Sequence, residues 1–165
     1  MNASVLDMRR PSVQDLAILL PENHTEGLSS GQAKEFFRAS PAVTIGPWLW
    51  NVFDGFGQPT NEPFVPVLIG GDSPYMNYTI NILARKKHLI VPTVEQSFYI
   101  AKFLVNTQEP EYHFDTVAIM HEPVRCGVDV CSKSFAVFGN KEVCGVMGGP
   151  GVAWKKGTRF AFVLR

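Results

Sequence analysis

Apolar and polar positions change rhythm twice along this chain. Residues 1–11 carry no period and read as an extended N-terminal arm. Ser12 then opens an apolar stretch over 13–20, with Asp15 placed as a capping-box acid and Pro21 as a stop, which predicts a short helix. Residues 22–28 are polar and read as loop. Ser29 followed by Gln32 is a second capping-box signal and predicts a helix to about Ala39, ended by Ser40-Pro41. Two short helices near the N-terminus are the expectation.

From residue 48 the rhythm becomes two. Trp48, Trp50 and Val52 alternate, which predicts a strand over 48–53 with these three on one face. Asp54-Gly55 starts a turn that Gly57, Pro59 and Pro63 extend into a loop. A second strand is expected over 64–69, at an edge or bulged because of Pro66. Gly70-Gly71-Asp72 marks the next turn, and third and fourth strands are expected over 78–83 and 88–91. Thr93 is the clearest helix start: Pro92 precedes it, and Gln96 completes a capping box. Val94, Phe98, Ala101 and Val105 then form a helical stripe, widened by Ile100, Phe103 and Leu104, so a helix over 94–106 is expected to be buried on most of its surface. With strands on either side of it, the second over 114–121, it predicts a crossover unit that is right-handed if parallel. Gly139-Asn140 between 135–138 and 143–146 predicts a hairpin, as do residues 155–158 between Trp154 and 159–164. The sum is one α+β domain spanning 1–165: two N-terminal helices, a mainly antiparallel sheet of five to seven strands, and one buried helix.

Composition narrows the function classes. The chain has 165 residues, enough to bury a core, and 45% are hydrophobic against 18% charged, which excludes a disordered chain. Fifteen basic residues balance fifteen acidic ones, so the field that sequence-independent nucleic-acid binding requires is missing. A near-neutral chain favours association with other protein subunits, itself or another. No apolar run reaches the length of a membrane span, and Asp7, Arg9, Arg10 and Pro11 occupy the place of a signal-peptide core. Neither membrane nor nucleic acid is expected as a partner, and the expected location is cytoplasmic or within a virion. The triplets at Asn2, Asn23 and Asn77 are then chance matches to the glycosylation pattern. The three cysteines are an odd number, which argues for a reducing compartment.

Reactive side chains are densest at His113, His121, Glu122, Cys126, Cys131 and Cys144. A zinc site on His121, Cys126 and Cys131 is disfavoured, because the residues between the cysteines are Gly-Val-Asp-Val rather than a tight turn. A zinc deaminase would need His-x-Glu and Pro-Cys-x-x-Cys, and here Glu122 follows His121 directly. No metal and no cofactor are expected. A Cys/His pair is the alternative chemistry, with Cys144, Cys126 or Cys131 as nucleophile and His121 as base. Cys144-Gly145 resembles the nucleophile turn of the chymotrypsin-like viral cysteine proteases, in which the histidine also precedes the cysteine, although their glycine two residues earlier is Glu142 here. The favoured reading makes the cysteines small buried hydrophobes. Among the aromatics, Trp48, Trp50, Phe53 and Phe56 crowd a glycine-flanked segment, and Phe56 between Gly55 and Gly57 is the expected contact anchor. The leading expectation is a non-enzymatic structural or interaction subunit of a larger assembly, for example a phage head-neck or tail component. A small cysteine-dependent hydrolase or deamidase of effector-toxin type is the alternative.

Overall fold

In a computed structural model of the chain, residues 17–46, 48–126, 129–146 and 151–165 are described, with backbone alone for 125, 126 and 129–133. The elements in order are β1 (Ile18–Leu19), β2 (Asn23–His24), α1 (Ser30–Ala39), β3 (Thr44–Ile45), α2 (Leu49–Phe53), β4 (Pro63–Phe64), β5 (Pro66–Gly70), β6 (Tyr75–Met76), α3 (Asn77–Lys86), β7 (Leu89–Ile90), α4 (Val94–Asn106), β8 (Thr116–Cys126), β9 (Asp129–Phe138), β10 (Glu142–Val146), β11 (Ala153–Trp154) and β12 (Arg159–Leu164). A 3₁₀ turn at Pro110–Tyr112 leads into β8.

The architecture is α+β. A mixed sheet of eight strands runs β1-β5-β12-β8-β9-β10-β3, with β7 also on β12, and two small sheets pair β6 with β11 and β2 with β4. Two contacts are parallel, β12 with β8 and β10 with β3, and the rest of the sheet is antiparallel. Near-continuous apolar character in Phe160-Ala161-Phe162-Val163 suits a strand covered on both faces. Alternation divides it: Ala161 and Val163 join Val117, Ile119, Phe135 and Val137 under α1, α2 and α4, while Phe160 and Phe162 join Ala118 and Met120 under α3. The sheet is therefore the middle of three layers.

α4 lies where its pattern places it. Thr93 accepts from the Gln96 backbone, and the Gln96 side chain returns to the Thr93 amide, so both ends of the capping box are closed. Val94, Phe98, Ala101 and Val105 are all buried. α1 is likewise opened by a Ser29–Gln32 capping box.

Several expectations are corrected. Ile18 and Leu19, within the first expected helix, are a strand on β5, because pairing with Leu68 and Val67 there satisfies backbone that a stretch ended by Pro21 could not propagate as helix. The rest of that expected helix start, 12–16, and the arm 1–11 lie outside the described residues. The segment 48–53 is helical over α2, because Leu49, Val52 and Phe53, at i, i+3 and i+4, all bury against the core. The segment 78–83 lies in α3, whose Ile80 and Ala84 stack on the sheet. β5 is interior, between β1 and β12, and tolerates Pro66 because proline opens the strand. Finally, β7 is antiparallel to β12 while β12 is parallel to β8, so β7–α4–β8 is not a parallel crossover.

The two expected hairpins part ways. β9 and β10 pair as expected, Val137 with Val143 and Ala136 with Cys144, but the loop has three residues and Lys141 takes the left-handed position at φ 63°. β11 turns away from β12 and pairs with β6 instead.

Candidate interaction surface

The aromatic segment singled out above splits between core and surface. Phe53 is fully buried and stacks on Phe37 with ring centroids 5.6 Å apart. Phe56 is half-buried: it stands edge-on to Phe53 at 5.8 Å and to Phe98 at 6.4 Å, so its ring turns inward rather than into solvent. Trp50 is half-buried as well, with the Arg38 guanidinium 5.0 Å from its ring. Trp48 is the exception, with 53% of its surface exposed.

Trp48 holds that position at a conformational cost. Its φ of 64° is left-handed, a region that bulky side chains rarely adopt. The neighbouring strand leaves room for it. Gly145 of β10 packs so closely on this backbone that a Cβ there would come 2.6 Å from the Trp48 carbonyl oxygen. Trp48 then starts α2, its carbonyl accepting from the Asn51 amide at 3.1 Å. Beside it runs β3, the last strand of the sheet order. Thr44 and Gly46 give their amides to the Lys141 and Val143 carbonyls of β10, which directs the Ile45 amide and carbonyl outward. Among the described residues no strand pairs that outer edge. Gly46 and Gly145, one on each side of the contact, make the close approach possible.

The loop 54–62, in contrast, is tied to its own molecule. Glu95, only 4% exposed in the first turn of α4, accepts from the Leu28 amide at 3.0 Å, the Thr60 amide at 2.9 Å and the Thr60 hydroxyl at 3.0 Å. A carboxylate near a helix N-terminus is also favoured by the helix dipole. Thr25 adds a hydroxyl contact to Thr60 at 2.9 Å. This hub was not foreseen, because Glu95, followed by Gln96 and Ser97, reads as an ordinary first-turn acid.

The reactive residues do not assemble around Cys144. Its register partner on β9 is Ala136, whereas His121 lies on β8 with its ring 6.0 Å from Phe135, one residue along and so on the other face of the sheet. Burial raises the Cys144 thiol pKa, and the charge of Glu142 adds to the rise, which is opposite to what a nucleophilic thiolate needs. Burial pushes the His121 imidazole down to about 4, while contacts with the Glu122 and Ser134 backbone pull weakly the other way. Its Nδ1 donates to the Glu122 carbonyl at 2.6 Å. Cys126 and Cys131 sit in β8 and β9, and their side chains lie outside the described residues. His113 stands apart on the approach to β8, with Nε2 3.3 Å from the Thr107 carbonyl. Among the described residues no three His, Cys, Asp or Glu side chains converge as a metal site. Nor is any described helix long and apolar enough to cross a membrane.

A separate cavity of about 330 Å³ opens between α3 and the ends of β7 and β8, lined by Tyr78, Ile82, Arg85, Val91, Met120 and Glu122 among others. It was invisible while 78–83 read as a strand. The stripe Asn77, Ile80, Ala84 is the signal that would have found the helix. No protein-family model, curated protein or solved structure matches this chain.

Proposed function

We propose that this chain is a non-enzymatic interaction subunit of a protein assembly and that it associates with copies of itself through the β3 edge, with Trp48 as the anchor. The observation that carries the reading is the exposed indole of Trp48 on a left-handed backbone. Left-handed non-glycine residues cost free energy, persist only where their surroundings enforce them, and gather at functional sites. Tryptophan is also the residue most enriched among interface hot spots. Beside it, the outward backbone groups of Ile45 are suited to strand addition, in which main-chain hydrogen bonds supply affinity. Zero formal net charge means that two copies do not repel one another.

Sedimentation equilibrium of the wild type and of Trp48→Asn over a range of concentrations tests this. Asparagine accepts the left-handed conformation, so the variant keeps its fold and its thermal midpoint. Association should weaken by about 2 kcal/mol or more, about thirtyfold in the dissociation constant. A wild type that stays monomeric, or a variant that associates equally well, sinks the proposal.

A further inference from the structure

The cavity beside α3 gathers features that the fold does not need. Ile80 and Ala84 already bury this helix against the sheet. Yet Tyr78 is left 61% exposed and Val91 37% exposed, and both line the same cavity as half-buried Ile82 and buried Met120. Its rear wall is rigid: the Asn77 Oδ1 accepts from the Trp154 indole at 2.6 Å, and the Asn77 carbonyl accepts from the Asn81 side chain at 2.8 Å. Opposite charges stand at the mouth. Arg85 and Glu122 both line the cavity and both are exposed, and among the described residues neither makes an ion pair, with the other or with anything else.

An apolar floor between a cation and an anion is complementary to a ligand that carries both charges about an apolar body. A volume of about 330 Å³ lies at the low end of the 300–1,000 Å³ typical of ligand pockets, which limits the ligand to a few tens of atoms at most. We propose that this cavity binds a small apolar zwitterion, a free apolar amino acid or a short apolar peptide. Arg85 takes the carboxylate, for which its planar fork of donors is shaped. Glu122 takes the ammonium. Ile82, Val91 and Met120 receive the side chain, and the Tyr78 ring covers it. The Trp48 edge plays no part here, so the two proposals stand or fall separately.

The test is an amide chemical-shift titration of the full-length ¹⁵N-labelled chain with leucine, with leucyl-leucine, and with N-acetyl-leucine amide, which keeps the apolar body but has no charge. The expected result is saturable shifts at Tyr78, Ile82, Val91 and Glu122 with at least one of the two zwitterions, and at least tenfold weaker binding of the neutral amide. Comparing leucine with leucyl-leucine decides between free amino acid and peptide. Arg85→Gln and Glu122→Gln, both at exposed positions that leave the fold intact, should each weaken binding tenfold or more. The proposal is overturned if neither zwitterion gives saturable shifts at millimolar concentration, if the neutral amide binds equally well, or if Arg85→Gln leaves the affinity unchanged.

Discussion

Burial of His121 ties the stability of the protein to pH. The residue is 2% exposed where the register of β8 on β9 shifts between Met120 and Val124, and burial pushes its imidazole down to about 4 from 6.5. The unfolded chain, with histidine at its ordinary value, therefore binds a proton between about pH 6.5 and pH 4 that the folded chain excludes. Stability rises with pH wherever the unfolded state holds more protons, so the contribution is complete above about pH 6.5 and is lost as the pH falls toward about 4. At about 1.4 kcal/mol per unit, the loss amounts to about 3 kcal/mol. Urea unfolding at pH 7 and pH 4.5 should show it for the wild type and show a much shallower loss for His121→Gln. Carboxylates that titrate in this interval act equally in both proteins, so equal slopes would refute the assignment. Seen alone in the sequence, His121 belonged to a cluster of apparent nucleophiles and bases. What separates it from Cys144 is strand register, which puts them on opposite faces and which no local spacing reveals.

At the scale of elements, legibility followed the strength of the period. α4 could be read residue by residue because its cap, its length and its apolar stripe agree, and the same holds for the cap of α1. Segments 48–53 and 78–83 were misread because both carry two periods at once. Trp48, Trp50 and Val52 alternate, but Leu49, Val52 and Phe53 make a helical face, and burial of that second set decides the outcome. In α3, Thr79, Ile80 and Ile82 supply strand-forming side chains that packing overrides. The aromatic core joins these elements. Phe98 of α4 meets Phe36 and Phe37 of α1 at 5.6 Å each, Phe53 of α2 at 6.0 Å and Phe56 at 6.4 Å. Three helices and a loop thus share one ring, and the cavity left by Phe98→Ala could not collapse without moving all of them. The substitution should cost about 3–5 kcal/mol, read from the urea midpoint at constant m-value. A loss below about 1 kcal/mol would show that the helical layer repacks freely.

For the molecule as a whole, the decisive feature is that the last strand of the chain is central to the sheet. β12 pairs with β5 over Arg159–Val163, with β8 over Arg159–Ala161, and with β7 at Val163 and Leu164. It also feeds both cores, through Ala161 and Val163 on one side and Phe160 and Phe162 on the other. This arrangement was not legible in the sequence, because a hairpin with Trp154 is the shorter connection and local turn signals favour it. Tertiary pairing prevails since Phe160, Ala161, Phe162 and Val163 are all buried once β12 lies between β5 and β8, and only Leu164 at its end stays exposed. Without β12 the strands β1, β5 and β7 lose the only link through the sheet, among the described residues, to β8, β9, β10 and β3. A chain ending at Thr158 should therefore lack a native state altogether rather than fold with a frayed edge, and should show no cooperative thermal transition and no dispersed amide spectrum. The full-length variant Ala161→Asp, which puts a charge at a position with 0% exposure beneath α4, should fail for the same reason. Single removal of an edge strand makes the contrast: Ile18→Pro in two-residue β1 costs pairing at Leu68 and the packing of one partly buried side chain, and should leave a cooperative transition at a lower midpoint. If the chain lacking 159–165 still unfolded cooperatively, β5 and β8 would have to close on each other, and β12 would be an addition to the sheet rather than its centre.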